Sequence, residues 1–128
     1  MRCRALELYP LALQAVAGMA EDIERAGEML ERWRRLCGSS AAEVVAREKS
    51  LQWWRARMAG TLHYVEAVEA ALGSIPSPGA SVIIYRVVNG ESFSLIGKRY
   101  GVAGDTARRK YREAVKAFML SFPWRLGT

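Results

Sequence analysis

The sequence predicts an all-α protein with an N-terminal helical hairpin and a C-terminal trihelical helix-turn-helix module. Two observations predict this fold. Apolar residues recur every three or four positions through two long stretches of the first half. Shorter stretches follow a segment rich in glycine and proline, and two of them have the same spacing. We therefore expect the hairpin over residues 1–72, a hinge over 73–79 and the trihelical module over 80–128.

The first long helix is predicted from a heptad seam, in which apolar residues alternate at spacings of three and four. Its members are Val16, Met19, Ile23, Ala26, Leu30, Trp33 and Cys37. Charged residues occupy the positions between them, as expected for a side that faces water. Gly38 stops the pattern and is the predicted C-cap of this helix.

The second long helix is predicted to start at Ser40, because Ser40 and Glu43 have the spacing of a capping box. Its seam comprises Val44, Leu51, Trp54, Met58, Val65, Val68 and Leu72. The very short link between the two helices predicts an antiparallel hairpin. A lone hairpin would leave Trp53 or Trp54 in water, so it should dock on the C-terminal module, on a second copy, or on both. The length of the heptads favours a homo-oligomer.

The segment 73–79 contains two prolines and two glycines, which predicts a hinge. The β-branched run that follows it favours a strand on propensity alone. A strand ending at Asn89-Gly90 would need a partner run after the turn, and none follows. We therefore expect a short buried helix over 80–88.

Two further helices are predicted after residue 90. Phe93, Ile96 and Tyr100 have helical spacing, with Ser92 as the N-cap and Gly101 in the turn that follows. The last helix should start at Gly104 or Asp105. Its apolar face comprises Ala107, Tyr111, Ala114, Val115, Phe118, Met119 and Phe122. Its basic face comprises Arg108, Arg109, Arg112 and Lys116.

The net charge of +6 lies entirely in the C-terminal part of the chain. Residues 1–75 contain ten Lys and Arg and ten Asp and Glu, whereas residues 76–128 contain nine against three. An asymmetry of this kind indicates a neutral module beside one that meets a polyanion.

The segment from Ile75 to Phe118 carries residues in a recognisable order. Ile75-Pro76 precedes the first predicted helix, which contains Tyr85 and Val88. Residues 92–97 open the second helix, and residues 99–102 enter the turn after it. The third helix contains residues 106–109 and continues through Ala114-Val115. This order resembles the fourth region of bacterial sigma factors and the related phage late-gene regulators of the RinA/ArpU kind, over about a third of the chain. The resemblance implies a DNA-binding helix-turn-helix, with Tyr111 packing in place of the aliphatic residue usual at Lys110.

The basic residues of this segment are the candidate DNA contacts. Arginine can read guanine through two hydrogen bonds, whereas lysine and other arginines mainly neutralise phosphates. The candidate groove contacts are Thr106, Arg108, Arg109 and Arg112, and the candidate phosphate contacts are Lys98, Arg99 and Lys116. The alternative is that these charges only keep a helix face in water.

The resemblance implies a sequence-specific transcriptional regulator that binds double-stranded DNA, with RNA polymerase as a possible protein partner. An alternative is a small terminase subunit, which binds phage DNA as an oligomeric ring and serves the terminase large subunit. A third is an adaptor that binds protein through its basic module without touching DNA.

Other functions are disfavoured by the sequence. No Ser/His/Asp, Cys/His or clustered carboxylate arrangement indicates an enzyme, and His63 is expected to be structural. The glycines at 97, 101 and 104 follow a helix, so they do not match a nucleotide-binding loop, which follows a strand. No cofactor is expected.

The cysteine pattern and hydropathy indicate a cytoplasmic protein. Cys3 and Cys37 are isolated, so neither a disulfide framework nor a metal site is predicted. Glu7, Pro10 and Gln14 interrupt the first apolar stretch, which argues against a signal peptide. No stretch reaches the roughly 18 apolar residues of a membrane span.

Overall fold

The computed structural model describes residues 2–123 and shows them as five α-helices without a strand. The helices are α1 (Arg4–Cys37), α2 (Ala42–Gly73), α3 (Gly79–Val87), α4 (Phe93–Tyr100) and α5 (Gly104–Ser121). The predicted all-α class is confirmed for this part of the chain. The β-branched run after residue 80 is helical, because it buries Val82 and Ile83 together on one face.

The chain forms two compact units, whose bounds differ from the predicted boundary at 73–79. Among the described residues, 12–63 form one, here called the central unit, and 2–11 together with 64–123 form the other, the terminal unit. Leu6 near the start of α1 and Val68 near the end of α2 are buried in the terminal unit. The heptad pattern did not reveal this division, because it indicates which side of each helix is apolar and not which part of the chain that side packs against.

The terminal unit has its core where α5 packs against α3 and α4. Val82, Ile96 and Ala107, one from each of these helices, form a buried cluster. The residues packed around this cluster are Tyr85, Phe93, Tyr100, Val102 and Tyr111. The predicted packing of Tyr111 is therefore confirmed.

The two long helices also contribute to the terminal unit through tyrosine contacts. The Tyr64 hydroxyl donates to the carbonyl of Ala5, and the Tyr9 hydroxyl donates to Glu69 at 3.2 Å. The Tyr64 ring lies 6.1 Å from the ring of Phe122, measured between centroids. Ile75, in the segment predicted as a hinge, is buried in the same unit.

The connection between α4 and α5 follows from local sequence signals. Ser92 is the N-cap of α4, and its hydroxyl accepts a hydrogen bond from the Leu95 amide at 3.2 Å. Gly101 ends α4 with φ 67°, a left-handed conformation that favours glycine. The Val102 amide then donates to the Gly97 carbonyl at 2.9 Å. Both predicted ends of α4 are confirmed, and α5 begins at Gly104 as predicted.

The central unit has a small core. Leu30, Val44 and Leu51 are buried, and Ile23, Trp33 and Ala41 pack against them. Arg34 from α1 forms an ion pair with Glu48 from α2 at 2.5 Å. Other predicted seam residues are less buried, since Ala26 and Cys37 are exposed and Val16, Met19 and Met58 are only partly covered.

The start of α2 differs from the prediction. Gly38 ends α1 with φ 84°, as expected for a C-cap glycine, and the turn then includes Ser40. Because α2 begins only at Ala42, Ser40 does not occupy the N-cap position, and the predicted capping box is wrong. The Glu43 carboxylate instead accepts a hydrogen bond from Arg47 Nε, one turn later, at 2.9 Å.

Candidate nucleic-acid interface

Helix α5 presents a basic face to solvent because its apolar residues recur at helical spacing. Ala107, Ala114, Val115 and Phe118 are buried against the rest of the terminal unit. The opposite side of the helix exposes the four predicted basic residues, which are Arg108, Arg109, Arg112 and Lys116. The structure therefore brings four of the seven candidate residues onto one helix face.

The basic residues of this face form no ion pair within the described residues, and α5 also exposes two acidic residues, Asp105 and Glu113. No carboxylate between residues 2 and 123 lies within 4.0 Å of a charged nitrogen of these four residues or of Lys98. The ion pairs of the chain lie elsewhere, as in Arg34 with Glu31 and Glu48. An unpaired basic face of this kind attracts a polyanion.

The first turns of α4 and α5 lie against each other. A Cβ atom on Gly104 would sit 3.5 Å from the amide nitrogen and the Cα of Ser94. Since the N-terminus of each helix carries a partial positive charge, the two dipoles add to the field of the basic face. Thr106 lies in the first turn of α5 and is partly buried.

Three arginines surround an aromatic pair beside these helix ends. Arg86 from α3 and Arg108 and Arg112 from α5 line a surface pocket with Phe93 and Tyr111. We call this group of five residues the arginine pocket; its volume is about 330 Å³. The rings of Phe93 and Tyr111 lie 5.5 Å apart, measured between centroids. Burial raises the pKa of Tyr111, and the charge of Arg86 partly opposes this rise.

Two of the three guanidinium groups of this pocket, those of Arg86 and Arg108, lie over the Phe93 ring. The Cζ of Arg86 lies 4.3 Å from the ring centroid and that of Arg108 lies 5.3 Å from it. Both distances are within the range of a cation–π interaction. Arg86 also donates from Nη1 to the carbonyl of Glu91 at 3.0 Å. These contacts restrict the positions of Arg86 and Arg108.

Arg99, predicted as a phosphate contact, is engaged with an acidic residue. Its Nε and Nη2 lie 2.8 Å and 2.6 Å from Oε1 of Glu91, and its Cζ lies 4.4 Å over the Tyr85 ring. The hydrogen bond to Glu91 raises the pKa of the Arg99 guanidinium. The positive charge at this position is therefore balanced inside the terminal unit.

Lys98 is exposed in the last turn of α4, whereas Phe93 begins that helix. Five residues separate them, which is about 7.5 Å along a helix axis. Lys98 accordingly does not line the arginine pocket.

Arg86 is not among the candidate residues that the sequence pattern indicates. It is the one charged residue of α3, in a run of apolar residues. A single charge in a short apolar helix must reach water or a partner, so this isolation was the available signal.

Side chains suited to a metal do not gather in residues 2–123, where no group of three or more His, Cys, Asp or Glu could hold an ion. The thiol of Cys3 is buried, that of Cys37 is exposed, and both are free. No helix in the described part of the chain is long and apolar enough to cross a membrane. Comparison with protein-family models, with curated proteins and with solved structures gave no match.

Proposed function

We propose that this protein binds double-stranded DNA through α4 and α5, arranged as a helix-turn-helix, and thereby regulates transcription. The observation that carries the proposal is the exposed face of α5, whose four basic residues have no carboxylate partner among the described residues. In proteins of this kind the second helix enters the major groove with its N-terminal residues on base edges, while the preceding helix crosses the backbone.

Arg109 is the strongest candidate for reading a base. It lies in the second turn of α5, is exposed, and has none of the aromatic contacts that hold Arg108. Its guanidinium can therefore extend toward the two acceptors of a guanine. Thr106 is a second candidate for the groove, and Lys98 and Lys116 are candidates for phosphates.

A homo-oligomer would place two or more of these modules on one DNA molecule. The central unit supports this proposal because large apolar side chains remain exposed on it, among them Trp53 at 55%, Met29 at 44% and Trp54 at 43%. Exposed apolar patches commonly mark protein interfaces. A dimer would bind two half-sites whose spacing matches that of its modules.

The second candidate function is that of a small terminase subunit. The length of α1 and α2, 34 and 32 residues, together with the exposed tryptophans, would also suit a closed ring around phage DNA. Sedimentation equilibrium of the purified protein separates the two functions. A dimer supports the regulator, whereas a ring of many subunits supports the packaging adaptor that serves the terminase large subunit.

The DNA-binding proposal is tested with duplexes selected by the purified protein from a random pool. The logarithm of the binding constant should fall linearly with the logarithm of salt concentration between about 50 and about 200 mM, because phosphate contacts release counterions. Affinity that does not change with salt would exclude both the regulator and the terminase subunit. It would leave the adaptor that binds protein.

The role of α5 is tested with Arg109→Ala. We expect a loss of about 1–3 kcal/mol in binding free energy and a relaxed preference at one base pair. The helical circular dichroism signal should not change. Arg35→Ala removes an exposed arginine of the central unit and is the matched control. Equal affinity of Arg109→Ala and wild type would rule out α5 as the recognition helix.

A further inference from the structure

We propose that the arginine pocket holds one phosphodiester group of the DNA backbone, and that Arg86, Arg108 and Arg112 together bind it. This inference rests on the proposed DNA-binding function and assigns a role within it. Arg108 and Arg112, expected from the sequence to contact bases, then position the protein on the backbone. Arg86, from a helix outside the α4–α5 pair, becomes part of the DNA-binding surface.

The convergence of three like charges supports an anionic occupant. The three side chains come from α3 and α5 and line one pocket. Like charges that line one pocket repel each other. The carboxylates of residues 2–123 form no ion pair with any of them, and the one hydrogen bond that their guanidinium groups make within these residues goes to an uncharged acceptor, the carbonyl of Glu91. A bound anion would supply the missing opposite charge.

The geometry around Phe93 suits a phosphate group in particular. A guanidinium that lies over an aromatic ring keeps its N–H groups free at its edge. Arg86 and Arg108 both lie over Phe93 and line one pocket, and the hydrogen bond from Arg86 Nη1 to the Glu91 carbonyl leaves Nε and Nη2 of Arg86 for another acceptor. Each of these two guanidinium groups can donate two parallel hydrogen bonds to the non-bridging oxygens of a phosphodiester.

The position of the pocket favours the DNA backbone over a free anion. Phe93 is the first residue of α4, and its carbonyl carbon lies 3.6 Å from the Cβ position of Gly104, where α5 begins. The pocket therefore adjoins the helix ends proposed to approach the DNA. A phosphodiester there would lie where the first helix of such a motif meets the backbone.

The first experiment measures the salt dependence of DNA binding by Arg86→Gln. Loss of one of the three charges that bind the phosphate should reduce the slope of the log–log plot by up to about 0.9 and weaken binding to all sequences by the same factor. Arg86→Lys keeps the charge but loses the planar guanidinium that can make two parallel hydrogen bonds to a phosphate. It should therefore keep the slope of the log–log plot and lose part of the affinity for DNA. Arg35→Gln is the control for a loss of charge outside the pocket. Circular dichroism checks that each variant folds.

The second experiment replaces single DNA phosphates with neutral methylphosphonates. At one position the replacement should weaken wild-type binding, and it should weaken binding by Arg86→Gln less, because only Arg108 and Arg112 then hold that phosphate. A base-specific change in preference by Arg86→Gln would overturn the inference. So would an unchanged slope of Arg86→Gln while wild type binds DNA, and in that case the proposed function stands.

The two possible sources of the phosphate chemistry are separated by titration with inorganic phosphate, followed through the side-chain Nε–Hε NMR signals of the three arginines. Saturable shifts without any salt-dependent DNA binding by wild type would assign the pocket to a free anion and overturn the backbone assignment. In that case the proposed function fails together with the inference. Weak, unsaturable shifts beside tight DNA binding support the backbone as the source.

Discussion

Arg99 binds Glu91 through two nitrogens, with Nε 2.8 Å and Nη2 2.6 Å from the same carboxylate oxygen. The side chain of Glu91 is only 9% exposed, and its second oxygen, Oε2, has no hydrogen-bond partner among the described residues. The guanidinium is therefore the main group that compensates a nearly buried negative charge. This contact joins the loop before α4 to the last turn of that helix.

Arg99→Gln should lower the melting temperature of the protein, because the Glu91 carboxylate would lose its charged partner while remaining nearly buried. Arg109→Gln, which removes an exposed arginine without an ion pair in the described structure, is the matched control and should change the melting temperature little. Thermal unfolding followed by circular dichroism measures both. A different outcome would favour the phosphate contact predicted from the sequence. In that case Arg99→Gln would melt like wild type, but its DNA-binding constant would depend less steeply on salt concentration.

Gly97→Ala should destabilise the terminal unit. A Cβ at this position would lie 2.5 Å from the carbonyl oxygen of Val102 and 3.1 Å from the carbonyl carbon of Ala103, both of which belong to backbone. We expect a loss of about 1–3 kcal/mol in the free energy of unfolding from this overlap, larger than the gain of about 1 kcal/mol in helix propensity. Urea denaturation measures it.

Gly60→Ala is the control for this substitution, since Gly60 is also helical and its Cβ would have no atom within 4 Å. It should stabilise the protein by about 0.5–1 kcal/mol. Similar effects of both substitutions would show that the close approach at Gly97 does not limit the terminal unit.

The hydroxyl of Tyr64 should cause the free energy of unfolding to fall at high pH. Burial raises the pKa of Tyr64 above its ordinary value of 10.0. The unfolded chain therefore loses this proton at lower pH than the folded chain, and the free energy of unfolding falls as pH rises above about 10. In Tyr64→Phe the free energy of unfolding should fall less steeply with pH. Urea denaturation at a series of alkaline pH values measures this difference.

Tyr64→Phe should also cost about 1 kcal/mol near neutral pH, because the hydrogen bond to the Ala5 carbonyl is lost. Tyr9→Phe is the comparison, since burial and the nearby Glu69 raise the pKa of Tyr9 as well. It should likewise make the alkaline fall shallower. An alkaline fall in Tyr64→Phe as steep as that of wild type would show that Tyr64 does not cause it.

Trp54→Gln should weaken self-association. The side chain is 43% exposed and borders a groove of the central unit that also includes Ile23 and Met29. Removal of a large exposed aromatic from an interface commonly costs a large part of the binding energy. Sedimentation equilibrium should show a shift toward the monomer for Trp54→Gln but not for Lys49→Gln, an exposed position on the same helix. An unchanged association constant for Trp54→Gln would place the interface elsewhere.

The sequence predicted the features that depend on neighbours in the chain. The spacing of apolar residues indicated helices, and Ser92 and Gly101 marked the ends of α4 correctly. It failed at Ser40, because the turn that starts at Gly38 is longer than expected. Helix periodicity, caps and glycine turns arise from local hydrogen bonds and sterics, so a sequence pattern is enough to locate most of them.

The partners of the charged side chains were decided by tertiary structure. From the sequence, Arg99 was predicted to contact a phosphate and Arg108 to contact the groove. In the folded chain Arg99 balances Glu91, Arg108 lies over Phe93, and Arg86 joins it from another helix. Periodicity shows that a residue faces outward, but its partner is set by the packing of α3, α4 and α5. The sequence alone therefore determined where the helices and the basic face lie, and only the tertiary structure determined which basic residues remain without a carboxylate partner.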